Sequence, residues 1–122
     1  MKVIIAGSRT IILQSIVETA ILSSNFIITE VVSGKARGVD TLGEIWARRN
    51  KIPIKEFPAD WERFGKRAGF IRNDVMSQYA EGLIVVWDGE SRGTLDMIER
   101  AKKKGLKVYV YIVGIGGSHY NV

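Results

Sequence analysis

The chain has 122 residues, 46% of them apolar and none of them cysteine, and it carries a net charge of +5. A chain of this length folds as one domain that buries roughly 60–70% of its unfolded surface. The absence of thiols excludes disulfides, thiolate nucleophiles and cysteine zinc sites. All apolar runs are far shorter than the ~20 residues of a membrane helix, so we expect a cytoplasmic protein without a membrane partner. The basic charge favours an anionic partner without identifying it.

Strand-like and helical patterns alternate along the chain. Short apolar runs predict strands, and apolar residues at three- and four-residue spacing predict helices. In chain order we predict a strand at 2–6, a helix at 11–23, a strand at 27–33, a helix at 39–50, a strand at 52–57, a loop at 58–66, a helix at 68–79 closed by Gly82, a strand at 83–87, a helix at 94–104 and a strand at 106–113. This order predicts a single α/β, Rossmann-like, doubly wound domain over residues 1–113, with about five mainly parallel strands and helices on both faces. Residues 114–122 follow as a Gly-rich C-terminal tail.

Three glycine-bearing turns lie at the carboxyl ends of predicted strands, where such sheets bind their ligands. Glycine lets a ligand approach the backbone, and a helix start offers free N–H groups to an anion. An ordinary connector explains the first turn equally well, and a solvated basic loop explains the acid of the second turn but not its glycine pair. None of the three fits the dinucleotide or Walker pattern. The turn residues that we predict to bind a ligand are Gly7, Ser8, Arg9, Ser33, Gly34, Lys35, Arg37, Gly38, Asp40, Asp88, Gly89, Ser91, Gly93 and Thr94.

Aromatic rings lie beside cations in the loop before the third predicted helix. Trp61 and Phe64 could stack on a nucleobase while Lys66 and Arg67 hold phosphate. The alternative is that both rings only close the loop onto the core. His119, in the tail, is expected to be exposed and without a chemical role.

Six motifs recur together in one known group of proteins, and the resemblance covers residues 3 to about 112. They are Gly7-Ser8-Arg9, Ser33-Gly34-x-Ala36-Arg37-Gly38-Val39-Asp40 followed by Trp46-Ala47, Phe57-Pro58-Ala59-Asp60-Trp61, Gly65-Lys66-x-Ala68-Gly69, Arg72-Asn73-x-x-Met76, and Trp87-Asp88-Gly89-x-Ser91-x-Gly93-Thr94. This set resembles the YspA/YpsA-related branch of the SLOG superfamily. The resemblance implies a Rossmann-like pocket for nucleotides or nucleotide-derived ligands. It also implies that Arg72 and Asn73 face this pocket, where the arginine would bind phosphate rather than a partner acid.

Catalysis does not follow from the resemblance. The LOG phosphoribohydrolases of the superfamily carry Arg-Lys-x-x-Met and Gly-Gly-x-Gly-Thr-x-x-Glu, whereas this sequence has Asn73 in place of the lysine and Met97 in place of the glutamate. Methionine cannot move a proton, so cleavage of an N-glycosidic bond would need another acid. Glu44 and Asp88 are the leading candidates for that acid. The weaker candidates are Glu90 and Asp96, and Asp96 has an i,i+4 partner in Arg100.

We therefore predict a protein that binds a nucleotide or an ADP-ribose-like signalling ligand as a sensor, carrier or sequestering protein, without turnover. One alternative is a LOG-like phosphoribohydrolase that acts on a nucleoside monophosphate. Another is a DprA-like binder of single-stranded nucleic acid, which the net charge and the cations Lys35, Arg37, Lys66 and Arg67 would support. Under our first hypothesis, nucleic-acid binding through this basic surface is expected to be weak. We predict no metal site and no cofactor, and we expect a homo-oligomer.

Overall fold

The computed structural model describes residues 1–113 and 118–121. The helices and strands are β1 (Lys2–Gly7), α1 (Gln14–Ser24), β2 (Glu30–Ser33), α2 (Val39–Arg49), β3 (Ile54–Glu56), α3 (Trp61–Phe64), α4 (Ala68–Tyr79), β4 (Gly82–Trp87), α5 (Arg92–Lys103), β5 (Lys107–Ile112) and β6 (Ser118–Asn121), with a 3₁₀ turn at Gly65–Arg67. The five parallel strands with their helices confirm the predicted α/β Rossmann-like fold. Within the described residues, no helix has the length and the apolar character needed to cross a membrane.

The sheet has the strand order β3-β2-β1-β4-β5-β6. The first five strands are parallel, and β6 runs antiparallel to β5. The chain builds outward from β1 to β3 and then returns to the other side of β1 to form β4. The strand order therefore reverses between β1 and β4, which is the place where open α/β sheets bind ligands.

The core lies on both faces of the sheet, because successive side chains of a strand point to opposite sides. Val3 and Ile5 of β1 belong to the cluster under α1 and α2. Ile4 and Ala6 belong to the cluster under α4 and α5. Gly43 lets α2 lie directly on β1, since a Cβ at this position would be 2.7 Å from the side chain of Ile5.

Several predicted boundaries are wrong, for local reasons. Helix α1 begins at Gln14 and not at residue 11, because Leu13 is extended and 58% exposed. Strand β2 begins at Glu30 and not at residue 27, where Ile27 is 80% exposed. Gly82 does not close a helix but begins β4. Helix α5 begins at Arg92, two residues earlier than predicted.

Two elements were not predicted. The loop predicted at residues 58–66 contains α3, which begins where the Asp60 side chain accepts a hydrogen bond from the Arg63 N–H at 3.1 Å. In the segment predicted as a tail, residues 118–121 form β6, with Tyr120 opposite Val110. The other tail residues, 114–117 and 122, lie outside the described residues.

Candidate ligand-binding cleft

A cleft of about 240 Å³ opens at the carboxyl ends of β1 and β4. It lies at the point where the strand order reverses. The structure brings twelve of the predicted site residues or stacking residues to its wall or to the adjoining loop. Those that line the cleft are Gly7, Arg9, Asp40, Trp61, Arg72, Asn73, Ser91, Gly93 and Thr94. Gly34, Lys35 and Arg37 line a second chamber that adjoins it.

The first turn, after β1, is packed tightly against its neighbours. A Cβ on Gly7 would lie 1.9 Å from the carbonyl oxygen of Val86, so only glycine fits here. Ser8 is 1% exposed, and its Oγ accepts a hydrogen bond from the Asp88 N–H at 2.9 Å. Ser8 therefore joins the first turn to the third and does not line the cleft. Arg9, which follows it, is exposed at the cleft wall.

Gly38 has a related role in the second turn, after β2. Its φ of +74° is in the left-handed region, and a Cβ there would lie 2.4 Å from the carbonyl oxygen of Ser8. A side chain at this position would therefore separate the second turn from the first. Gly38 shapes the cleft without lining it.

Arg72 and Asp40 form a polar centre between α4 and the second turn. The Arg72 Nη1 donates a hydrogen bond to the Gly34 carbonyl, and its Nε donates to the Asn73 Oδ1 at 3.0 Å. Asp40 is 4% exposed, and its Oδ2 accepts a hydrogen bond from the Ala36 N–H at 3.3 Å. Burial raises the pKa of Asp40 to about 6, and the Ala36 N–H and the charge of Arg72 oppose that rise.

Asn73 is held by three hydrogen bonds and is 5% exposed. Its Nδ2 donates to the Gly93 carbonyl at 3.3 Å and to the Asp96 Oδ2 at 3.0 Å, while its Oδ1 accepts from Arg72. Asn73 therefore joins α4 to the start of α5 and orients Arg72 at the cleft wall. Asp96 in turn pairs with Arg100 at 2.9 Å.

Glu44, a candidate acid, lies outside the cleft in a network of its own. Its Oε2 accepts a hydrogen bond from the Ser33 hydroxyl at 2.6 Å, and its Oε1 contacts Lys35 Nζ at 3.0 Å and Arg48 Nη2 at 3.1 Å. Although burial opposes it, these hydrogen bonds and positive charges hold the pKa of Glu44 below its usual value. Glu44 is therefore an ionised partner that anchors Lys35, and Ser33 lies with it behind the loop.

Asp88, the other candidate acid, closes a turn on the exposed side of the third loop. Its Oδ1 accepts hydrogen bonds from the N–H groups of Glu90 at 2.8 Å and Ser91 at 2.9 Å. These bonds lower the pKa of Asp88. An ionised carboxylate used in this way is no proton donor at neutral pH, and Asp88 and Gly89 do not line the cleft.

The start of α5 forms one wall of the cleft. Ser91 caps this twelve-residue helix by accepting a hydrogen bond from the Thr94 N–H at 3.4 Å. Apart from the neighbouring residues and backbone of its own helix, no heavy atom of the described residues lies within 4 Å of a Cβ built on Gly93. The first turn of α5 therefore presents unpaired N–H groups and the positive end of the helix dipole to open space.

Two aromatic rings stand at the rim, and one of them was not predicted. Trp61 is 51% exposed and lines the cleft, whereas Phe64 lies outside it under the Arg63 guanidinium. Phe70, 41% exposed, takes the place that Phe64 was expected to fill. Helical spacing could have identified Phe70, because one face of α4 and the preceding turn includes residues 66, 69, 70, 73 and 76.

Met97 lies at the floor of the cleft beside Met76, and each is 1% exposed. The position that carries a glutamate in the LOG pattern is therefore inside the cleft and apolar in this chain. The described lining has three cations, Arg9, Lys66 and Arg72, and one carboxylate, Asp40. Over residues 1–113 and 118–121, no group of three or more His, Cys, Asp or Glu side chains could hold a metal ion.

Comparisons with known proteins agree with this architecture. The family model of the YspA, cpYpsA-related SLOG family matches residues 1–64. The Gene 61 protein of Mycobacterium phage D29 is 34% identical over 84 residues, which cover 64% of this chain and 67% of the phage protein. The X-ray structure of DNA processing protein A (DprA) from Streptococcus pneumoniae has the same fold, with a TM-score of 0.72 at 22% identity over 93% of this chain. The chain spans about half of the DprA chain, 51%. The match of the family model to residues 1–64, just over half of the sequence, shows that this chain belongs to the YspA, cpYpsA-related SLOG family.

Proposed function

We propose that the cleft binds a nucleotide or an ADP-ribose-like nucleotide derivative and does not turn it over, so that the protein acts as a sensor, carrier or sequestering protein. One observation carries the proposal: a cationic cleft lies beside the start of α5, at the point where the strand order reverses. Its three cations outnumber its one described carboxylate, Asp40, whose charge is partly offset by Arg72. A phosphate finds charge and hydrogen-bond donors together at such a place.

The rest of the cleft fits a nucleoside. Trp61 and Phe70 expose about half and two fifths of their surface, respectively, at the rim, and an aromatic face stacks on any nucleobase. Met76 and Met97 give the floor an apolar, adaptable surface. The cleft thus combines a cationic end with an apolar and aromatic body.

The arrangement of carboxylates supports binding without turnover. Met97 has no titratable proton to donate, and neither Glu44 nor Asp88 lines the cleft. A phosphoribohydrolase remains the second candidate because of Asp40. A buried carboxyl with a pKa of about 6 at a cleft wall is the type of group that general acids use.

Binding is tested by thermal unfolding with a nucleotide panel that includes AMP, ADP and ADP-ribose. At a hundredfold excess over Kd, a ligand stabilises the folded state by about 2.7 kcal/mol. Lys66→Gln removes an exposed cation of the cleft and should weaken binding, while Lys103→Gln removes an exposed cation near the far end of α5 and should not. The proposal fails if no nucleotide at millimolar concentration changes the melting temperature.

Turnover is tested by base release from nucleoside monophosphates. We expect the wild-type protein to release no more base than the enzyme-free control. Release that is lost in Asp40→Asn but kept in Glu44→Gln and Asp88→Asn would show a phosphoribohydrolase with Asp40 as its acid. If the wild type is inactive, Met97→Glu is the single change expected to create a trace of activity, because it puts a carboxylate at the floor of the cleft.

A further inference from the structure

A second chamber of about 300 Å³ adjoins the cleft. Arg9, Ala36, Trp61 and Arg72 line both spaces, so the two lie on either side of a shared wall. The second chamber extends along the loop after β2, as far as Arg37. A ligand that extends from the start of α5 across this shared wall would reach the second chamber.

The second chamber is cationic. Its described lining includes Arg9, Lys35, Arg37 and Arg72 and contains no carboxylate. The positive charge of Lys35 is balanced by ion pairs with Glu44 and Glu56, in which Nζ lies 3.0 and 3.1 Å from the carboxylate oxygens. This leaves positive charge for which the chamber walls provide no counter-ion.

Arg9 and Arg37 carry that charge. Both side chains are exposed, and neither forms a salt bridge with any residue in the described part of the chain. Arg72 differs, because it donates to Gly34 and lies beside Asp40. The two guanidinium groups are therefore available to a ligand, and each can hold a phosphate by two parallel hydrogen bonds.

The size of the site points the same way. Pockets that bind drug-sized ligands measure about 300–1,000 Å³, and the cleft alone, at about 240 Å³, is smaller than this range. With the adjoining chamber the site falls within it. A nucleoside monophosphate has one anionic group, whereas this site has two cationic regions.

We propose that the ligand occupies both spaces and carries two phosphoryl groups, one at the start of α5 and the second against Arg9 and Arg37. The inference rests on the proposed function and narrows its ligand class to nucleotides with two phosphoryl groups. These groups are either joined directly, as in ADP-ribose, or separated by a nucleoside, as in a linear dinucleotide.

The test is calorimetric titration of the full chain with AMP, ADP-ribose and the 5′-phosphorylated diadenylate pApA. At least one two-phosphate probe should bind about tenfold more tightly than AMP, a difference of about 1.4 kcal/mol. Arg37→Gln should remove most of this gain and leave the affinity for AMP within about twofold of wild type. A tenfold change in affinity is easily distinguished from a twofold change. Arg49→Gln, an exposed arginine at the end of α2 that lines neither space, should behave as wild type.

The outcomes separate the two proposals. Tight binding of AMP with no gain for either two-phosphate probe overturns the inference and leaves the proposed function intact. Failure of every probe, AMP included, overturns both. Equal weakening of AMP and pApA by Arg37→Gln would show a single anionic site. A single strand of about 20 nucleotides that binds far more tightly than pApA, with a steep salt dependence, would indicate a polynucleotide site instead.

Discussion

The turns after β1 and β2 differ physically from the turn after β4, although all three contain glycine. Cβ atoms on Gly7 and Gly38 would lie 1.9 and 2.4 Å from backbone oxygens. Cβ atoms on Gly89 and Gly93 would have no heavy atom within 4 Å among the described residues. The same residue thus serves close packing in the first two turns and leaves open space in the third. The space beside Gly93 is where the cleft meets α5.

The carboxylates of the two regions differ in the same way. Asp40, in the packed region, is buried, and its pKa is raised to about 6. Asp88, in the open turn, is exposed and accepts two backbone hydrogen bonds, which lower its pKa. Packing penalises charge in one region, and backbone N–H groups stabilise it in the other.

The largest expected effect is the loss of stability caused by a substitution in the packed region. Gly7→Ala forces a methyl group against the Val86 carbonyl, and a backbone atom of the central strand cannot move aside. We expect a loss of about 3 kcal/mol or more in the free energy of unfolding, measured by urea denaturation. A loss below about 1 kcal/mol would mean that the turn has room, and the contrast with the open turn would then not hold.

A smaller effect is expected on the pH dependence of the free energy of unfolding, to which the two carboxylates contribute with opposite sign. The folded state holds the Asp40 proton up to about pH 6, whereas an unfolded aspartate loses it near 3.8. Between these values the folded state binds more protons, so this group makes the free energy of unfolding fall as pH rises from about 4 to about 6. We expect the wild type to lose stability relative to Asp40→Asn as pH rises from about 4 to about 6, measured by urea denaturation at several pH values.

Asp88→Asn is the matched control for Asp40→Asn, with the opposite sign. The pKa of Asp88 is lower in the folded state, so its contribution to stability is present above the unfolded value of 3.8 and is lost as pH falls through the folded pKa. The wild type should therefore gain stability relative to Asp88→Asn as pH rises from below the folded pKa to above 3.8. The same sign for both carboxylates would contradict the comparison.

The smallest expected effect on stability comes from a substitution in the open turn. Gly93 lies in the first turn of α5 and is exposed, so Gly93→Ala should stabilise the protein, by at most about 1 kcal/mol, through the lower entropy of the unfolded chain. The added methyl group points into ligand space, and the same variant should bind AMP more weakly. A variant that is both more stable and unchanged in AMP binding would place the phosphate elsewhere.

Much of the fold could be predicted from the sequence, because its determinants are local. Alternating apolar runs and helical stripes identified the five parallel strands and four of the helices. The carboxyl ends of parallel strands share one edge of the sheet, so the three turns were expected to converge. Helix α3 was missed because its cap, Asp60, lies in a polar loop without apolar periodicity. Strand β6 was missed because it forms by pairing with the open edge of β5, and the availability of that edge is decided by the tertiary structure.

The sequence by itself determined the family, the layered fold, the basic charge and the cluster of glycines and cations at one edge of the sheet. Only the tertiary structure decided what each of these residues does. Ser8 and Asn73 were predicted to bind ligand, but their partners, Asp88 and Gly93, lie 80 and 20 residues away. Glu44 forms an ion pair with Lys35, while Asp40 alone of the described carboxylates lines the cleft. Burial and hydrogen-bond partners set a residue's role, and both arise from contacts between segments that are distant in the chain.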